Sequence, residues 1–202
     1  MKKTKQYITR KCTFDAMHRV MNESMKCYNI HGHTFLCKLK FEFNQSEDIG
    51  YAIDFKEIKR VGCQFIDDKF DHGAILNGHD TELINTSHKL NSKLWLMSLN
   101  GFELTQTYDN DINEINLNYC NPSVENIAKE IFMAMEILFQ DYENLKISKV
   151  IIYETPNCAT TCISKSISNV ERDNWYRYNY EGVNKYREGK GIVNYDDRSI
   201  KD

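Results

Sequence analysis

No stretch of this 202-residue sequence is apolar for long enough to cross a bilayer. No charge of one sign dominates either: 26 basic and 29 acidic residues leave a net charge of −3, which excludes a general electrostatic pull toward nucleic acid or anionic membranes. Repeats and low-complexity segments are absent. So is a disulfide framework. The seven cysteines, an odd number, are scattered without framework spacing, which fits a reducing cytosol better than a secreted scaffold. The basic start Met1-Lys2-Lys3-Thr4-Lys5 runs into a strand pattern, not into the apolar core of a secretion signal. The length suits one domain with additions and a real core, and a soluble cytoplasmic protein is expected.

What the sequence has is concentrated in Cys27-Tyr28-Asn29-Ile30-His31-Gly32-His33. After Gly32 it alternates, with His33, Phe35, Cys37, Leu39, Phe41 and Phe43 on one face and Lys38, Lys40 and Glu42 on the other. That is the period of a half-buried strand. One step back, His31 joins the face of His33, and imidazoles at i and i+2 on a strand stand about 7 Å apart. Cys12, Phe14, Ala16 and His18 alternate in the same way. Antiparallel pairing of the two strands would bring His18 beside His31 and His33. Three neutral imidazoles leave a tetrahedral zinc one open position, the pattern of a catalytic site; iron and copper also accept imidazole. A histidine on an apolar strand face is usually a hydrogen-bonded core residue, and His-Gly-His occurs by chance. Three converging on one face, with a cysteine in the intervening loop, point to a metal site instead.

The strands are expected over about 6–18 and 31–44, followed by a turn at 45–50. Asp54 and Glu57 read as a capping box opening a helix to about Lys69, with Phe55, Ile58, Val61, Phe65 and Ile66 at helical spacing. Asp71-His72 follows in a loop, where such a pair is commonly just solvated. Residues 78–119 are the least legible and read as an insertion, with an apolar patch at 94–97 and a short strand at 115–119. Ser123 caps the strongest helix pattern, Val124 to Phe139. Strands at 147–153, ending in Glu154, and at 160–167 close the pattern, and a tyrosine-rich tail begins at Ser168. The tail is expected to pack on a neighbouring subunit or stay mobile, and its acids make nucleic-acid binding the weaker option. Cys12, Cys37, Cys63 and Cys120 read as small apolar residues; Cys158 and Cys162 have loose metal-pair spacing without a second pair.

Phe14-Asp15-Ala16-Met17-His18-Arg19, Cys27-x-x-x-His31-Gly32-His33, Asp54-Phe55, Asp71-His72 with Leu76-Asn77, Asn121-Pro122-Ser123-Val124-Glu125-Asn126 and Tyr153-Glu154-Thr155 occur in one order. In this the sequence resembles the 6-carboxy-5,6,7,8-tetrahydropterin synthase family of 7-deazaguanine (queuosine) biosynthesis, a relative of 6-pyruvoyl-tetrahydropterin synthase. The three-residue gap between Cys27 and His31 is similar to the carboxy branch; the pyruvoyl branch commonly has a wider one. Departures are the long 78–119 segment, Gly73 where a larger residue is usual, and the 168–202 tail.

The resemblance implies an α+β tunnelling fold (T-fold): a four-stranded antiparallel sheet with two helices on one face, oligomerising into a β-barrel, in a single domain over 1–202. It implies Zn2+ on His18, His31 and His33, Cys27 as proton-transferring base, and His72, oriented by Asp71, as its counterpart. Glu154 would anchor the pterin. The substrate would be 7,8-dihydroneopterin triphosphate, the assembly a homo-oligomer, by resemblance a hexamer. Arg19 and Lys26 are candidates to meet the triphosphate, and equally plain surface charges. The competing readings are triphosphate elimination to a pyruvoyl product, and a non-catalytic zinc- and pterin-binding assembly protein.

Overall fold

Strict alternation makes β1 (Gln6–His18) and β2 (His31–Phe43) the centre of the structure. The computed structural model describes residues 5–21, 24, 26–44, 52–99 and 121–191. The two strands pair antiparallel over their whole length, from Gln6 opposite Phe43 to His18 opposite His31. Their apolar faces put Phe14, Phe35, Leu39 and Phe41 at 0–1% exposure. A one-residue slip would send this entire set to solvent, so burial specifies the register.

Among the described residues the sheet has six strands rather than four, and it is mixed. β3 (Gly73–Asn77) and β4 (Leu94–Met97) add parallel on one side of β1, while β5 (Lys146–Thr155) and β6 (Cys158–Cys162) add antiparallel beyond β2. Four or five residues are too few to display a period, so the sequence offers no strand signal at β3 and only an apolar patch at β4. The turn at 45–50 and the strand at 115–119 lie outside the described residues.

The expected first helix forms in three pieces: α1 (Phe55–Ile58), a π-helical turn (Lys59–Cys63) and α2 (Gln64–Lys69). Asp54 caps it, accepting from Lys56 N at 2.8 Å. Glu57 does not close the capping box. Its carboxylate is buried and takes Arg60 (Nε at 2.6 Å) and the Tyr142 hydroxyl (2.9 Å) instead. After β3, α3 (Thr81–Lys89) starts on Asp80, which accepts from Leu83 N. The long amphipathic helix is α4 (Val124–Leu138), capped by Ser123, and its apolar stripe packs against the sheet.

The tyrosine-rich tail is helical as well. A full capping box of Ser168 and Glu171 starts α5 (Asn169–Lys190). It packs on its own subunit: Trp175 and Val183 enter the core, and Lys129 of α4 pairs with Glu171 at 2.5 Å. The helix is polar nearly all round, and tertiary burial of these two side chains, more than a continuous apolar stripe, holds it there.

Candidate metal centre and active site

The last rung of the β1–β2 ladder pairs His18 with His31, and the rung before it but one pairs Ala16 with His33. The three imidazoles therefore meet at one end of the sheet, with ring centroids 4.5, 5.3 and 5.1 Å apart for 18–31, 18–33 and 31–33. One ring nitrogen from each lies within 4.8 Å of the others. Gly32 between the two histidines allows a close strand approach. A Cβ there would stand 3.0 Å from the Ala16 carbonyl oxygen, a crowded contact that the backbone would have to shift to relieve.

Two of the rings are oriented from behind. His18 Nδ1 lies 2.7 Å from the carbonyl oxygen of Pro122, and His31 Nδ1 lies 2.7 Å from that of Asn29. A carbonyl only accepts, so each Nδ1 carries the proton and each Nε2 presents a lone pair, the arrangement seen behind metal-bound histidines. Among the described residues, His18 Nε2 is buried without a hydrogen-bond partner. A buried nitrogen left so costs free energy unless something fills the place. Burial, first, and the neighbouring histidines hold His18 below the usual imidazole range, keeping it neutral and ligand-competent. These donors fit a Zn2+ ion: the three converge, and two of them are backed by carbonyls.

The backing depends on Asn121. Its side-chain oxygen accepts from Asn77 Nδ2 and Met21 N, both at 2.9 Å, and its amide donates to the Met21 carbonyl at 2.8 Å. That network fixes the start of α4, and with it the Pro122 carbonyl, against the β1 end. Backbone carbonyls carry no side-chain signal, so the sequence gives no sign of the roles of Pro122 and Asn29.

Glu154 sits where the β5–β6 register shifts, between Tyr153 and Thr155. Such a bulge re-aims side chains. Its Oε1 lies 3.6 Å from His18 Nε2 and 3.8 Å from His33 Nε2. The structure thus brings Glu154 to the histidines.

Asp71 and His72 form a second cluster. His72 Nδ1 donates to Asp71 Oδ2 at 2.5 Å, and Asp71 Oδ1 accepts from Asp15 N at 2.7 Å. The His72 N–H donates to the Asp15 carbonyl at 2.7 Å, while His72 itself adopts φ +53°. The imidazole, 77% exposed, is raised above its usual range by this carboxylate. Gly73 makes room for Lys93, whose side chain and carbonyl lie 3.2 Å from where a Cβ would be. Lys93 Nζ then donates to the Asp71 carbonyl at 2.5 Å. A groove of ≈ 670 Å³, walled on one side by Leu83 and Ser87 of α3, joins His33 to Asp15 and His72.

Cys27 stands in a one-turn 3-10 segment, Lys26–Tyr28, and is exposed in the single chain. It is not among the three side chains that converge. Its carbonyl accepts from Val20 N at 2.8 Å, which ties the turn to the end of β1. Arg19 is engaged within the chain. Both its Nε and Nη2 donate to the buried Asp80, at 2.5 and 2.6 Å, and its guanidinium lies 5.4 Å from the Tyr28 ring centre. It braces the Cys27 turn against α3. Lys26 is exposed.

A family model described as 6-pyruvoyl tetrahydropterin synthase matches residues 7–164. The 6-carboxy-5,6,7,8-tetrahydropterin synthase of Rickettsia felis is 31% identical over 155 residues, covering 74% of this chain and 94% of the relative. That of Haemophilus influenzae is 26% identical, covering 74% and 92%. Among solved structures, an uncharacterised protein of Wolinella succinogenes superimposes with a TM-score of 0.57 at 22% identity, over 80% of this chain and 99% of that one. Caenorhabditis elegans 6-pyruvoyl tetrahydropterin synthase gives 0.51 at 20%, over 80% and 96%. At such identities the structural likeness speaks for the fold, and the tunnelling-fold architecture holds with its two extra strands. The chain belongs to the 6-pyruvoyl tetrahydropterin synthase family of pterin synthases.

Proposed function

We propose that this protein is a zinc-dependent 6-carboxy-5,6,7,8-tetrahydropterin synthase. It would convert 7,8-dihydroneopterin triphosphate and one water to 6-carboxy-5,6,7,8-tetrahydropterin, acetaldehyde and triphosphate, a carbon–carbon lyase step of cytoplasmic 7-deazaguanine (queuosine) biosynthesis. The observation that carries the reading is the trio His18, His31 and His33, with an unpartnered buried Nε2 at its centre, in a chain whose relatives bear that description.

His18, His31 and His33 would hold Zn2+, which when bound supplies Lewis acidity toward the oxygens of the substrate side chain. Glu154 offers two carboxylate oxygens to the guanidine-like N–H edge of a pterin, a planar two-bond contact that fixes the ring. Anchored there, the ring lies beside His18 and His33. His72 exchanges a proton at Nε2, since its Nδ1 is committed to Asp71, and the carboxylate favours its protonated form. Cys27 moves a proton on the opposite face of the substrate. The edge strands β4 and β6 call for partners, and a homo-oligomeric barrel, hexameric by resemblance, supplies them. In this reading the chain is one domain, with an insertion at 78–119 and an extension at 168–202.

Incubation of the zinc-loaded protein with 7,8-dihydroneopterin triphosphate tests the proposal. Acetaldehyde and 6-carboxy-tetrahydropterin are expected. A pyruvoyl product without acetaldehyde would assign triphosphate elimination instead, and pterin binding without turnover would leave only a binding protein.

A further inference from the structure

Away from the catalytic groove, the face of the sheet turned from the core carries a concentration of positive charge. The β1–β2 and β2–β5 registers place Lys11 directly opposite Lys38 and Lys40 directly opposite Lys149. These are neighbouring same-face rungs, so four lysines stem from one patch, their Cβ atoms about 5 Å apart across strands and about 7 Å apart along them. Like charges directly opposite each other in a sheet are destabilising. The chain as a whole is acidic, with a net charge of −3, so the patch does not follow from composition.

Among the described residues, no acid pairs with these lysines. The six strands contain three acids: Glu154 is on the core side with the histidines, Glu42 takes Lys5 at 3.1 Å, and Asp15 is held by the Thr34 hydroxyl at the far end. Among the described residues, none of Lys11, Lys38, Lys40 and Lys149 forms an ion pair. Two are propped on aromatic faces instead. Lys38 Nζ lies 4.2 Å from the Tyr153 ring centre and donates to its hydroxyl at 2.9 Å; Lys40 Nζ lies 4.1 Å from the Tyr7 ring centre. The Tyr153 phenol is held below its usual range by Lys38 and then Lys11, which reports the local positive potential.

We propose that this lysine face binds a small anion carrying several phosphoryl groups, at a site separate from the catalytic groove. Charge complementarity selects the occupant: adjoining ammonium groups engage a polyphosphate at several points, and a monocarboxylate at one. Lysine meets phosphate as a point charge without demanding fixed geometry. The proposal goes beyond the assigned reaction and does not depend on it.

Inorganic triphosphate, added to the full-length zinc-loaded protein without substrate, is the probe. Calorimetric titration and Tm are the readouts. The expected result is saturable binding that weakens with salt and raises Tm. In the Lys11→Glu/Lys40→Glu variant each change creates an opposite-charge cross-strand pair. That variant is expected to fold with unchanged or higher Tm and to bind triphosphate at least about tenfold more weakly. His72→Ala is expected to leave the binding intact. Unchanged binding in the double lysine variant, or loss in His72→Ala, would put the ion elsewhere and overturn the proposal. Tighter retention of a single-stranded oligonucleotide than of triphosphate would also overturn it, in favour of a nucleic-acid surface. None of these outcomes bears on whether acetaldehyde is formed.

Discussion

His18 and His31 face each other across the final rung of the β1–β2 ladder, 4.5 Å between ring centres, and each directs its Nδ1 to a backbone carbonyl. The strand register thus delivers two ligands, and the loops behind them set the tautomer. The third, His33, follows from the period of the strand.

Asn121 is expected to matter to the metal without touching it. Asn121→Ala removes the bonds to Asn77 and Met21 that fix the Pro122 carbonyl. Stability should fall by about 1–3 kcal/mol, read as a lower Tm, and zinc affinity by about 10–100-fold in a chelator competition. Unaltered affinity would mean that the carbonyl does not orient His18.

The Asp71–His72 pair has a definite pH signature. The carboxylate raises the folded pKa of His72 above its ordinary value. Its contribution to stability is therefore complete below the ordinary imidazole pKa and is lost as pH rises through the folded value. In Asp71→Asn the imidazole should titrate at lower pH, measured by NMR of the ring protons. An unmoved titration would deny Asp71 its orienting role.

Glu130 of α4 shifts stability with pH in the same direction, but its cause is burial and not a charged partner. It is fully buried, accepts from Trp95 Nε1 at 2.6 Å and Ser98 N at 2.8 Å, and is pushed up to about 7 by burial. Trp175 of α5 faces the same carboxyl without reaching hydrogen-bond geometry. The folded state holds this proton more tightly than the unfolded chain, so stability falls as pH rises from about 4.5 to about 7. The span amounts to on the order of 3 kcal/mol. Glu130→Gln should flatten that part of the Tm–pH curve and raise Tm at pH 8; a curve identical to wild type would contradict the assignment.

Legibility followed length and period. β1 and β2 run thirteen residues each, long enough to display alternation, and that alternation put the three histidines on one face. α4 showed its stripe for the same reason. β3 and β4, of five and four residues, showed none, and their parallel pairing with β1 depends on tertiary contacts. The tail was misread because α5 buries little besides Trp175 and Val183 along 22 residues, which leaves its pattern looking solvated. Arg19 read as a free cation because its partner Asp80 is 61 residues away. Glu57 satisfied the capping-box spacing, yet Arg60 and Tyr142 compete for its carboxylate.

The ligand set is the claim on which the chemistry rests, and zinc-edge X-ray absorption of the purified protein tests it most directly. Three imidazole nitrogens at about 2.0–2.1 Å are expected, with the signal lost in His31→Ala and retained in Cys27→Ala. Sulfur at about 2.3 Å, or full zinc occupancy in His31→Ala, would contradict the account.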